Sequence, residues 1–198
     1  MEIKQFLEEL SSGSPTPGGG SASALAGALA ASLIAMVARL SDRGEKPVRR
    51  EMREIEKKAV RFREQLHRAM GEDIEAFDEV MAAFRLPKET ETQRLVRRKK
   101  MEKAYRGATL PPQKVCEASL ALLELTKILL RKGNPNAFSD AGVAVFLSCA
   151  ATEGGLLNIQ INLASISDRV FTKGKQKAVA DLRRRLAKRM AEIRKEFF

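Results

Sequence analysis

Apolar residues recur at helical spacing along most of the chain, and short stretches rich in proline, glycine or small polar residues separate these segments. The first segment has apolar residues at positions i, i+3, i+4 and i+7, namely Ile3, Phe6, Leu7 and Leu10. Side chains at this spacing share one face of a helix. No segment of the sequence shows the sustained alternation of a half-buried strand. The pattern predicts an all-α fold, an antiparallel helix bundle with long helices and short connections.

The breaks between these segments set the expected helix boundaries. The expected helices span residues 3–10, 20–41, 47–84, 88–106, 111–132, 140–166 and 173–197. Pro87 ends the longest of them, because proline disfavours helix in the residue before it, and it can then begin the next helix. Gly154 and Gly155 mark an expected weak point in the helix 140–166. At 198 residues, the chain is expected to form a single domain, residues 1–198, with its own core.

The second predicted helix is expected to lie buried at the centre of the bundle. Residues 11–38 contain no charge, and Ser23, Gly27 and Ala31 recur at four-residue steps, so that a neighbouring helix can approach the backbone closely. About 20 apolar residues would also suffice to span a membrane. The first half of this stretch is rich in Ser, Ala and Gly and only weakly hydrophobic. We therefore expect an Ala/Gly-rich central helix and no membrane association.

The chain is basic, with 36 Lys and Arg against 25 Asp and Glu and a net charge of +11. Such a surface attracts anions, whether nucleic acid, anionic lipid or a polyanionic small molecule. A nucleic-acid-binding protein is expected to carry a recognisable module or interleaved aromatic residues. Aromatic residues make up only 5% of this chain, and it has no Trp. We therefore expect no nucleic-acid partner.

The chain has few residues that could bind a metal. His67 is the only histidine and falls among arginines on a predicted helix, and Cys116 and Cys149 are far apart in apolar helical segments. We therefore expect no zinc or iron site and no cofactor. Free buried thiols, together with an acidic and amphipathic first segment unlike a secretory signal, predict a cytoplasmic protein.

The loop before the central helix is the most informative motif. Pro15 and Pro17 are followed by Gly18, Gly19 and Gly20, and then by residues that propagate a helix. Backbone amides at such an opening lack intrahelical partners and can face a ligand. The sequence is a near match to a dinucleotide-binding fingerprint, but that fingerprint requires a βαβ unit, which the pattern does not predict. The remaining alternatives are a tight turn between two helices and a loop that binds a flat ring or an anion.

Two carboxylates are candidates for chemistry, each with a structural alternative. Asp140 falls at the start of a predicted helix, where unpaired amides and the helix dipole stabilise an acidic side chain. The uncharged stretch 141–151 that follows also places it at the edge of an apolar interior, where a carboxylate is a candidate for chemistry. Asp73 lies where the long helix turns from basic to more apolar, although the acids around it also fit a solvated face.

The stretch SPTPGGGSASALAGALAASLIAMVARL resembles the opening of the cyclodeaminase/cyclohydrolase family, all-helical folate enzymes related to the C-terminal domain of formiminotransferase-cyclodeaminase. Further matching segments follow in order along nearly the whole chain: Glu72-Asp73, Ala76-Phe77, Leu86-Pro87-Lys88, Ala108-Thr109, Pro111, Gly133-Asn134, Ser139 to Ala144, Asn158 and Asn162. The resemblance implies one all-helical domain that acts on a one-carbon derivative of tetrahydrofolate, and it also implies a homodimer.

The resemblance also implies the site residues. Asp140 would be the principal acid/base or cation-stabilising group, and Asp73 a second carboxylate or a pterin-binding group. The implied substrate-binding residues are Pro17, Gly18, Gly19, Gly20, Phe77, Lys88, Asn134, Ser139, Asn158 and Asn162. From the residues alone, Lys88 fits an anion-binding group and a solvated loop lysine equally well.

The helix geometry adds a complication for these assignments. Asn158 and Asn162 are one turn apart and share a face. Asp140 would point the same way if the helix stayed straight, but it would lie about 27 Å from Asn158 at 1.5 Å per residue. The asparagines are therefore expected to have a secondary role, one that could lie at a subunit interface.

Members of the resembled family either hydrolyse 5,10-methenyltetrahydrofolate to 10-formyltetrahydrofolate or convert 5-formiminotetrahydrofolate to the methenyl compound with release of ammonia. Both reactions pass through a tetrahedral carbon between two nitrogens, and they need a carboxylate but no metal or redox cofactor. A chain without a fused formiminotransferase half is expected to be the cyclohydrolase, with the cyclodeaminase as the alternative. A third alternative, from a functional class other than enzymes, is a basic helical module that binds nucleic acid or another polyanion.

Overall fold

The computed structural model describes residues 2–197, and within that range it contains helices and no strand. The α-helices are α1 (Ile3–Leu10), α2 (Gly19–Leu40), α3 (Lys46–Phe84), α4 (Glu91–Ala108), α5 (Leu110–Lys132), α6 (Phe138–Leu163) and α7 (Arg169–Phe197). One turn of 3₁₀ helix, Pro135–Ala137, precedes α6. The all-α fold predicted from the apolar spacing is confirmed.

Helix α2 is the central helix of the bundle and packs against α3, α5 and α6. Its small residues allow this close packing. A Cβ atom added at Gly27 would lie 3.0 Å from Ser119 Oγ and 3.1 Å from Leu66 Cδ2, so the neighbouring helices approach its backbone. Because Ala31 and Ile34 are also completely buried, the prediction of a buried Ala/Gly-rich central helix is confirmed.

Helices α2 and α6 run antiparallel, and contacts at both ends define this arrangement. At one end, Gly19 in the first turn of α2 lies against the Asn158 side chain, near the end of α6. At the other, the Asn134 backbone amide donates a hydrogen bond of 2.8 Å to Ser41 Oγ, just beyond α2. The N-terminus of α2 and the C-terminal part of α6 therefore lie at the same end of the bundle.

Two predicted helix starts are wrong by several residues, and side-chain caps explain both. Helix α4 begins at Glu91 rather than after Pro87, because Thr90 and Gln93 form a reciprocal capping box. Helix α7 begins at Arg169 rather than at residue 173, because Asp168 Oδ1 accepts hydrogen bonds from the amides of Val170 and Phe171 at 2.8 and 3.0 Å.

The expected weak point at Gly154 and Gly155 is also wrong, since α6 continues through both residues. The glycines serve packing instead. A Cβ atom at Gly154 would lie 2.1 Å from Ser23 Oγ, and one at Gly155 would lie 2.6 Å from Cys116 Sγ. Helices α2 and α5 therefore approach the backbone of α6 at these two positions.

Two segments, Gly19–Leu40 and Pro135–Leu163, are long and apolar enough to cross a membrane by length and composition alone. Inside the bundle, 61% and 50% of their most apolar windows are buried. The core helix of a soluble protein passes the same test, so this finding is weak evidence for a membrane span.

Candidate active site

Asp73 lies in α3 where this helix passes the N-terminus of α2. The Ser21 hydroxyl donates a hydrogen bond to Asp73 Oδ2 at 3.1 Å, and the Ser21 backbone amide is a further donor to the carboxylate. The N-cap residue of α2, Gly18, has no side chain that could cap the helix. Asp73 therefore provides, from a neighbouring helix, an acceptor for the amides that a helix N-terminus leaves unpaired.

Gly20 is the glycine that permits this contact. A Cβ atom at this position would lie 2.2 Å from Asp73 Oδ1 and 2.5 Å from Oδ2, which is shorter than any van der Waals contact. At Gly19 the nearest atom to an added Cβ would be Asn158 Nδ2 at 3.6 Å, an ordinary contact. The triple glycine therefore brings the main chain of α2 directly against a carboxylate.

A cavity of about 580 Å³ opens beside Asp73, a size that suits a small-molecule ligand. Four parts of the chain line it. The loop and the first turn of α2 contribute Pro15, Thr16, Gly18, Gly19 and Gly20. Helix α3 contributes Asp73 and an apolar row of Phe77, Val80, Met81 and Phe84. Helix α4 contributes Tyr105 and Ala108, and the end of α6 contributes Asn158, Ile161, Asn162, Ala164 and Ser165.

The two asparagines connect the helices that form the cavity. Asn158 Nδ2 donates to the Gly154 carbonyl at 2.8 Å, and Asn162 Nδ2 donates to the Ala108 carbonyl at 2.9 Å. The second bond joins α6 to the end of α4. Because each NH₂ group is occupied by a backbone carbonyl, the side-chain oxygens remain as acceptors on this wall.

The cavity is weakly charged despite the basic surface of the chain. Among its described lining residues, Asp73 is the only carboxylate and none is Lys or Arg. Burial raises the pKa of Asp73 above its ordinary value, and the hydrogen bonds from Ser21 oppose this effect. A raised carboxyl pKa in a cavity is typical of groups that transfer protons.

A cation lies close to the rim of the cavity. The Arg97 guanidinium stacks on the Phe84 ring at 4.8 Å from its centroid, and Arg97 Nε donates to the Phe84 carbonyl at 3.1 Å. Phe84 itself lines the cavity, so Arg97 stacks on a residue of the cavity wall without lining the cavity itself.

The structure brings together part of the set of residues singled out from the sequence. Those that line the cavity are Gly18, Gly19, Gly20, Asp73, Phe77, Asn158 and Asn162. Pro17 is buried behind the loop and does not line it, although its neighbours do. Their roles in binding and catalysis stay predictions.

The other predicted site residues lie elsewhere within one chain. Lys88 is exposed in the connection between α3 and α4. Asn134 contacts the far end of α2, where its Nδ2 atom donates to the Leu40 carbonyl at 3.4 Å. Ser139 and Asp140 lie in the first turn of α6, about 27 Å along the helix from Asn158 at 1.5 Å per residue. One chain alone therefore does not unite Asp140 and Asp73 in one cavity.

Several residues that line the cavity were not predicted from the sequence, and among them only Tyr105 has a distinctive sequence context. Tyr105 is the single tyrosine of the chain and lies in an otherwise basic helix, which distinguishes it from its neighbours in the sequence. Val80, Met81 and Phe84 have the spacing of any core-facing helix, and Ile161 is simply an apolar residue on an apolar helix. Nothing in their spacing distinguishes a cavity wall from a core.

Comparison with known proteins agrees with this architecture. The sequence profile of the family Formiminotransferase-cyclodeaminase matches residues 2–181. A methenyltetrahydrofolate cyclohydrolase from Methylorubrum extorquens is 36% identical over 182 residues, which cover 91% of this chain and 88% of that protein. A formimidoyltransferase-cyclodeaminase from Rattus norvegicus is 28% identical over 187 residues, which cover 91% of this chain but 34% of the rat protein.

A solved structure is also similar over the whole chain. The crystal structure of formiminotetrahydrofolate cyclodeaminase from Thermotoga maritima matches with a TM-score of 0.89 and 27% sequence identity, covering 100% of this chain and 96% of that one. By sequence and by fold, the chain belongs to the formiminotransferase-cyclodeaminase family, as its Pro/Gly loop and the motifs that follow predicted.

Proposed function

We propose that the chain is an enzyme that hydrolyses 5,10-methenyltetrahydrofolate to 10-formyltetrahydrofolate. The observation that carries this proposal is Asp73, a carboxylate with a raised pKa on the wall of an otherwise uncharged cavity of about 580 Å³. The similarity to a methenyltetrahydrofolate cyclohydrolase, at 36% identity over 91% of the chain, supports this choice of reaction.

The substrate carries an amidinium cation that is shared between N5 and N10 of the folate. A carboxylate in a partly dehydrated cavity attracts such a cation more strongly than it would in water. Asp73 is held in place by Ser21 and by contact with Gly20, so it needs no reorganisation to face the cation. The rings of Phe77 and Tyr105 provide flat surfaces on which the pterin can lie.

Hydrolysis then requires movement of protons over short distances. A water molecule adds to the carbon between N5 and N10 and gives one proton to Asp73. The bond from this carbon to N5 breaks, N5 receives the proton from Asp73, and the hydroxyl proton leaves to solvent as the formyl group forms on N10. The reaction consumes one water and releases one proton overall, and none of these steps uses a metal or a cofactor.

The cyclodeaminase reaction is the second candidate. The solved structure with a TM-score of 0.89 is a formiminotetrahydrofolate cyclodeaminase. That reaction also passes through a tetrahedral carbon between N5 and N10, which carries the departing amino group where the hydrolysis intermediate carries a hydroxyl. A cavity with one carboxylate suits both the cyclohydrolase and the cyclodeaminase reaction, because each needs cation stabilisation and one proton transfer.

We propose that the chain acts as one domain and as a homodimer in the cytoplasm, with a folate as its small-molecule partner and without nucleic acid or membrane. The basic start of α3 is partly neutralised, since Arg49 and Arg53 both pair with Asp42 at 3.4 and 3.0 Å. This pairing favours a solvated face over a binding site for a polyanion.

One experiment separates these functions. Purified protein is incubated with 5,10-methenyltetrahydrofolate, and the loss of its near-ultraviolet absorption is followed above the uncatalysed rate. A parallel incubation with 5-formiminotetrahydrofolate follows ammonia. The proposal expects the faster turnover with the methenyl compound, whereas turnover with the formimino compound alone would identify a cyclodeaminase.

The variant Asp73→Asn tests the role of the carboxylate. It should fold, since Asn can still accept a hydrogen bond from Ser21, and it should lose at least about 100-fold in turnover. Asp78→Asn is the matched control, because Asp78 is exposed on the same helix and does not line the cavity. A folded Asp73→Asn protein with normal activity would rule out this mechanism.

A further inference from the structure

Helix α4 forms one side of the cavity and has few apolar contacts that hold it to the bundle. It packs mainly against α3, and its buried residues are Ala104 and Ala108. These two alanines form a small hydrophobic cluster with Val80 and Ala83 of α3, separate from the main core. Because an alanine side chain buries little apolar area, this cluster fixes the position of α4 only weakly.

Tyr105 is the residue through which α4 shapes the cavity. Its ring is half-buried, packs against both the small cluster and the main core, and lines the cavity. Asn162 and Ser165, at the end of α6 and just beyond it, line the cavity as well. The distance between α4 and the end of α6 therefore sets how much room the cavity leaves for a flat ring.

A network of charged side chains joins α4 to the connection between α6 and α7. Arg106 Nη2 donates to Glu102 Oε1 at 3.2 Å and to Asp168 Oδ2 at 2.7 Å. The two oxygens of Glu102 also accept the backbone amides of Ser167 and Asp168, at 3.0 and 3.2 Å. Because Arg106 directly follows Tyr105, this network acts on the turn of α4 that carries the ring.

The carboxylates of this network are held in their charged form. The Ser167 amide is the main cause that lowers the pKa of Glu102 below its ordinary value. The Phe171 amide is the main cause that lowers the pKa of Asp168. Both groups are therefore ionised near neutral pH and available to the guanidinium of Arg106.

Arg106 also reaches the main core. Its guanidinium stacks on the Phe171 ring at 5.0 Å from the centroid, and Phe171 packs against the main core. The Nε atom of Arg106 is buried without a hydrogen-bond partner. An unpaired buried donor costs stability, so the contacts of Nη2 and of the stacked ring are what keep the side chain in this place.

We propose that Arg106 is a positioning residue, which through Glu102 and Asp168 holds Tyr105 at the distance from α6 at which the cavity receives the substrate. This inference rests on the proposed function for the identity of that substrate. Arg106 does not line the cavity, so it acts through Tyr105. A side of the cavity that is already in position need not be ordered by the ligand, and binding is stronger for that reason.

The proton-transfer group does not depend on this network. Asp73 is held at the opposite side of the cavity by Ser21 and by contact with Gly20. Loss of the network should therefore weaken binding of the substrate more than it slows the chemical step.

The position of Tyr105 can be measured without any ligand. Tyr105 is the single tyrosine and the chain has no Trp, so tyrosine fluorescence reports on this ring alone. Arg106→Met keeps an apolar side chain but removes the charge. In this variant, quenching of the fluorescence by acrylamide should increase about twofold, because the ring is opened to solvent more often.

Lys127→Met is the matched control. Lys127 Nζ and Glu192 Oε2 form an ion pair of 2.8 Å that also joins α7 to a neighbouring helix, and neither residue lines the cavity. The control should leave both the quenching and the kinetics unchanged. A purely structural contribution of Arg106 would instead make the two variants behave alike.

The kinetics test the effect on the substrate. Arg106→Met should raise KM for methenyltetrahydrofolate about tenfold and change kcat by less than about threefold. Arg106→Lys keeps a cation and should recover part of this loss. Asp168→Asn keeps the Oδ1 acceptor for the amides of α7 and should also raise KM. The double variant should have the KM of Arg106→Met, since both substitutions remove the same contact.

The outcomes separate this inference from the proposed function. Unchanged quenching in folded Arg106→Met, or increased quenching with an unchanged KM, would overturn the inference and leave the role of Asp73 intact. If Arg106→Met does not fold, Asp168→Asn is compared with Lys127→Met in the same way. If the wild-type chain leaves methenyltetrahydrofolate unchanged, the proposed function fails, and the quenching still decides whether Arg106 positions Tyr105.

Discussion

Ser21 and Asp73 are 52 residues apart in the sequence and share a hydrogen bond of 3.1 Å at the start of α2. This contact joins the central helix α2 to the carboxylate that we propose takes part in catalysis. Because Gly20 presents no side chain, the Asp73 carboxylate lies directly over the backbone of the first turn. The same carboxylate is therefore both a helix cap and a group at the cavity wall.

Replacement of Gly20 by Ala should separate these partners. The new Cβ would lie 2.2 Å from Asp73 Oδ1, so the carboxylate must move by about 1 Å or more. A displacement of that size at a reacting group can cost about 100-fold in rate. Steady-state kinetics with methenyltetrahydrofolate measure the loss, and circular dichroism checks that the helices remain.

Gly71→Ala is the matched control for this change. Gly71 lies in α3 near Asp73, and an added Cβ there meets no atom within 4 Å. It should leave the rate unchanged and raise the free energy of unfolding by about 0.5–1 kcal/mol, because alanine favours the helix. Equal rates for the Gly20→Ala and wild-type proteins would contradict the proposed position of the carboxylate.

The pH dependence of the free energy of unfolding should show whether the helix N-terminus or burial has the larger effect on the pKa of Asp73. A helix N-terminus lowers the pKa of a nearby carboxyl, whereas burial raises it, and here burial is the larger cause. Between the ordinary and the raised pKa, the folded chain holds a proton that the unfolded chain has released. The contribution of Asp73 to the free energy of unfolding should therefore fall as pH rises through this window, and stay constant above it.

Urea unfolding of wild type and Asp73→Asn across a series of pH values from about pH 3.5 to pH 7 measures this contribution, since the ordinary carboxyl pKa is about 3.9. The difference in unfolding free energy, wild type minus variant, should decrease with rising pH. If it increases instead, the pKa is lowered in the folded state, and Asp73 acts mainly as a helix cap.

Removal of the Ser21 hydroxyl should move the acid limb of the pH profile of kcat/KM to higher pH. The hydrogen bond from this hydroxyl lowers the pKa of Asp73 and so opposes the effect of burial. In Ser21→Ala the pKa of Asp73 should rise further, and the acid limb of kcat/KM should move to higher pH. Ser32→Ala is the control, because its hydroxyl bonds only to the Ala28 carbonyl within the same helix. An acid limb that moves to lower pH would show that another group titrates.

The apolar spacing predicted the helices well, because a bundle of this size is determined by the burial of one face of each helix. The predicted starts of α4 and α7 were wrong where Thr90 and Asp168 act as caps, since a cap depends on the geometry of one side chain. Gly154 and Gly155 were misinterpreted for a related reason. A glycine that weakens a helix and one that admits a neighbouring helix are identical in sequence.

Some residues of the candidate site were predicted from the sequence, and others were not. Gly20, Asp73 and Asn158 were singled out by motif, and the fold brings them to one cavity although they are distant in sequence. Tyr105 and Phe84 were missed because their positions at the wall depend on how α3 and α4 pack together. Asp140 lies far from the cavity in one chain, and a single sequence contains no direct record of how two copies assemble.

Arg97 should contribute to binding of the anionic tail of the folate. Its guanidinium is held over Phe84 at the rim of the cavity, whereas Lys88 is exposed in a loop. Arg97→Ala should raise KM several-fold with kcat nearly unchanged, since an interaction made equally in the ground state and the transition state affects only binding. The rise should shrink as salt increases, because exposed charges are screened.

Arg98→Ala provides the comparison for this prediction, since Arg98 is exposed on the same helix and does not contact the cavity. Its KM should stay close to that of wild type. Equal effects of the two substitutions would indicate attraction by the net charge of +11 rather than a specific contact by Arg97.

The packing at Gly155 should be as important for stability as Gly20 is for activity. An added Cβ would lie 2.6 Å from Cys116 Sγ and 2.9 Å from the Pro112 carbonyl, and the backbone carbonyl cannot turn away. Gly155→Ala should therefore lower the free energy of unfolding by about 1–3 kcal/mol, as expected for overpacking in a core, despite the gain in helix propensity. In α7, an alanine at Gly174 meets no atom within 4 Å, and Gly174→Ala should be neutral or stabilising. Thermal unfolding of the two variants compares them directly, and a stabilised Gly155→Ala protein would mean that α5 and α6 can separate without cost at this point.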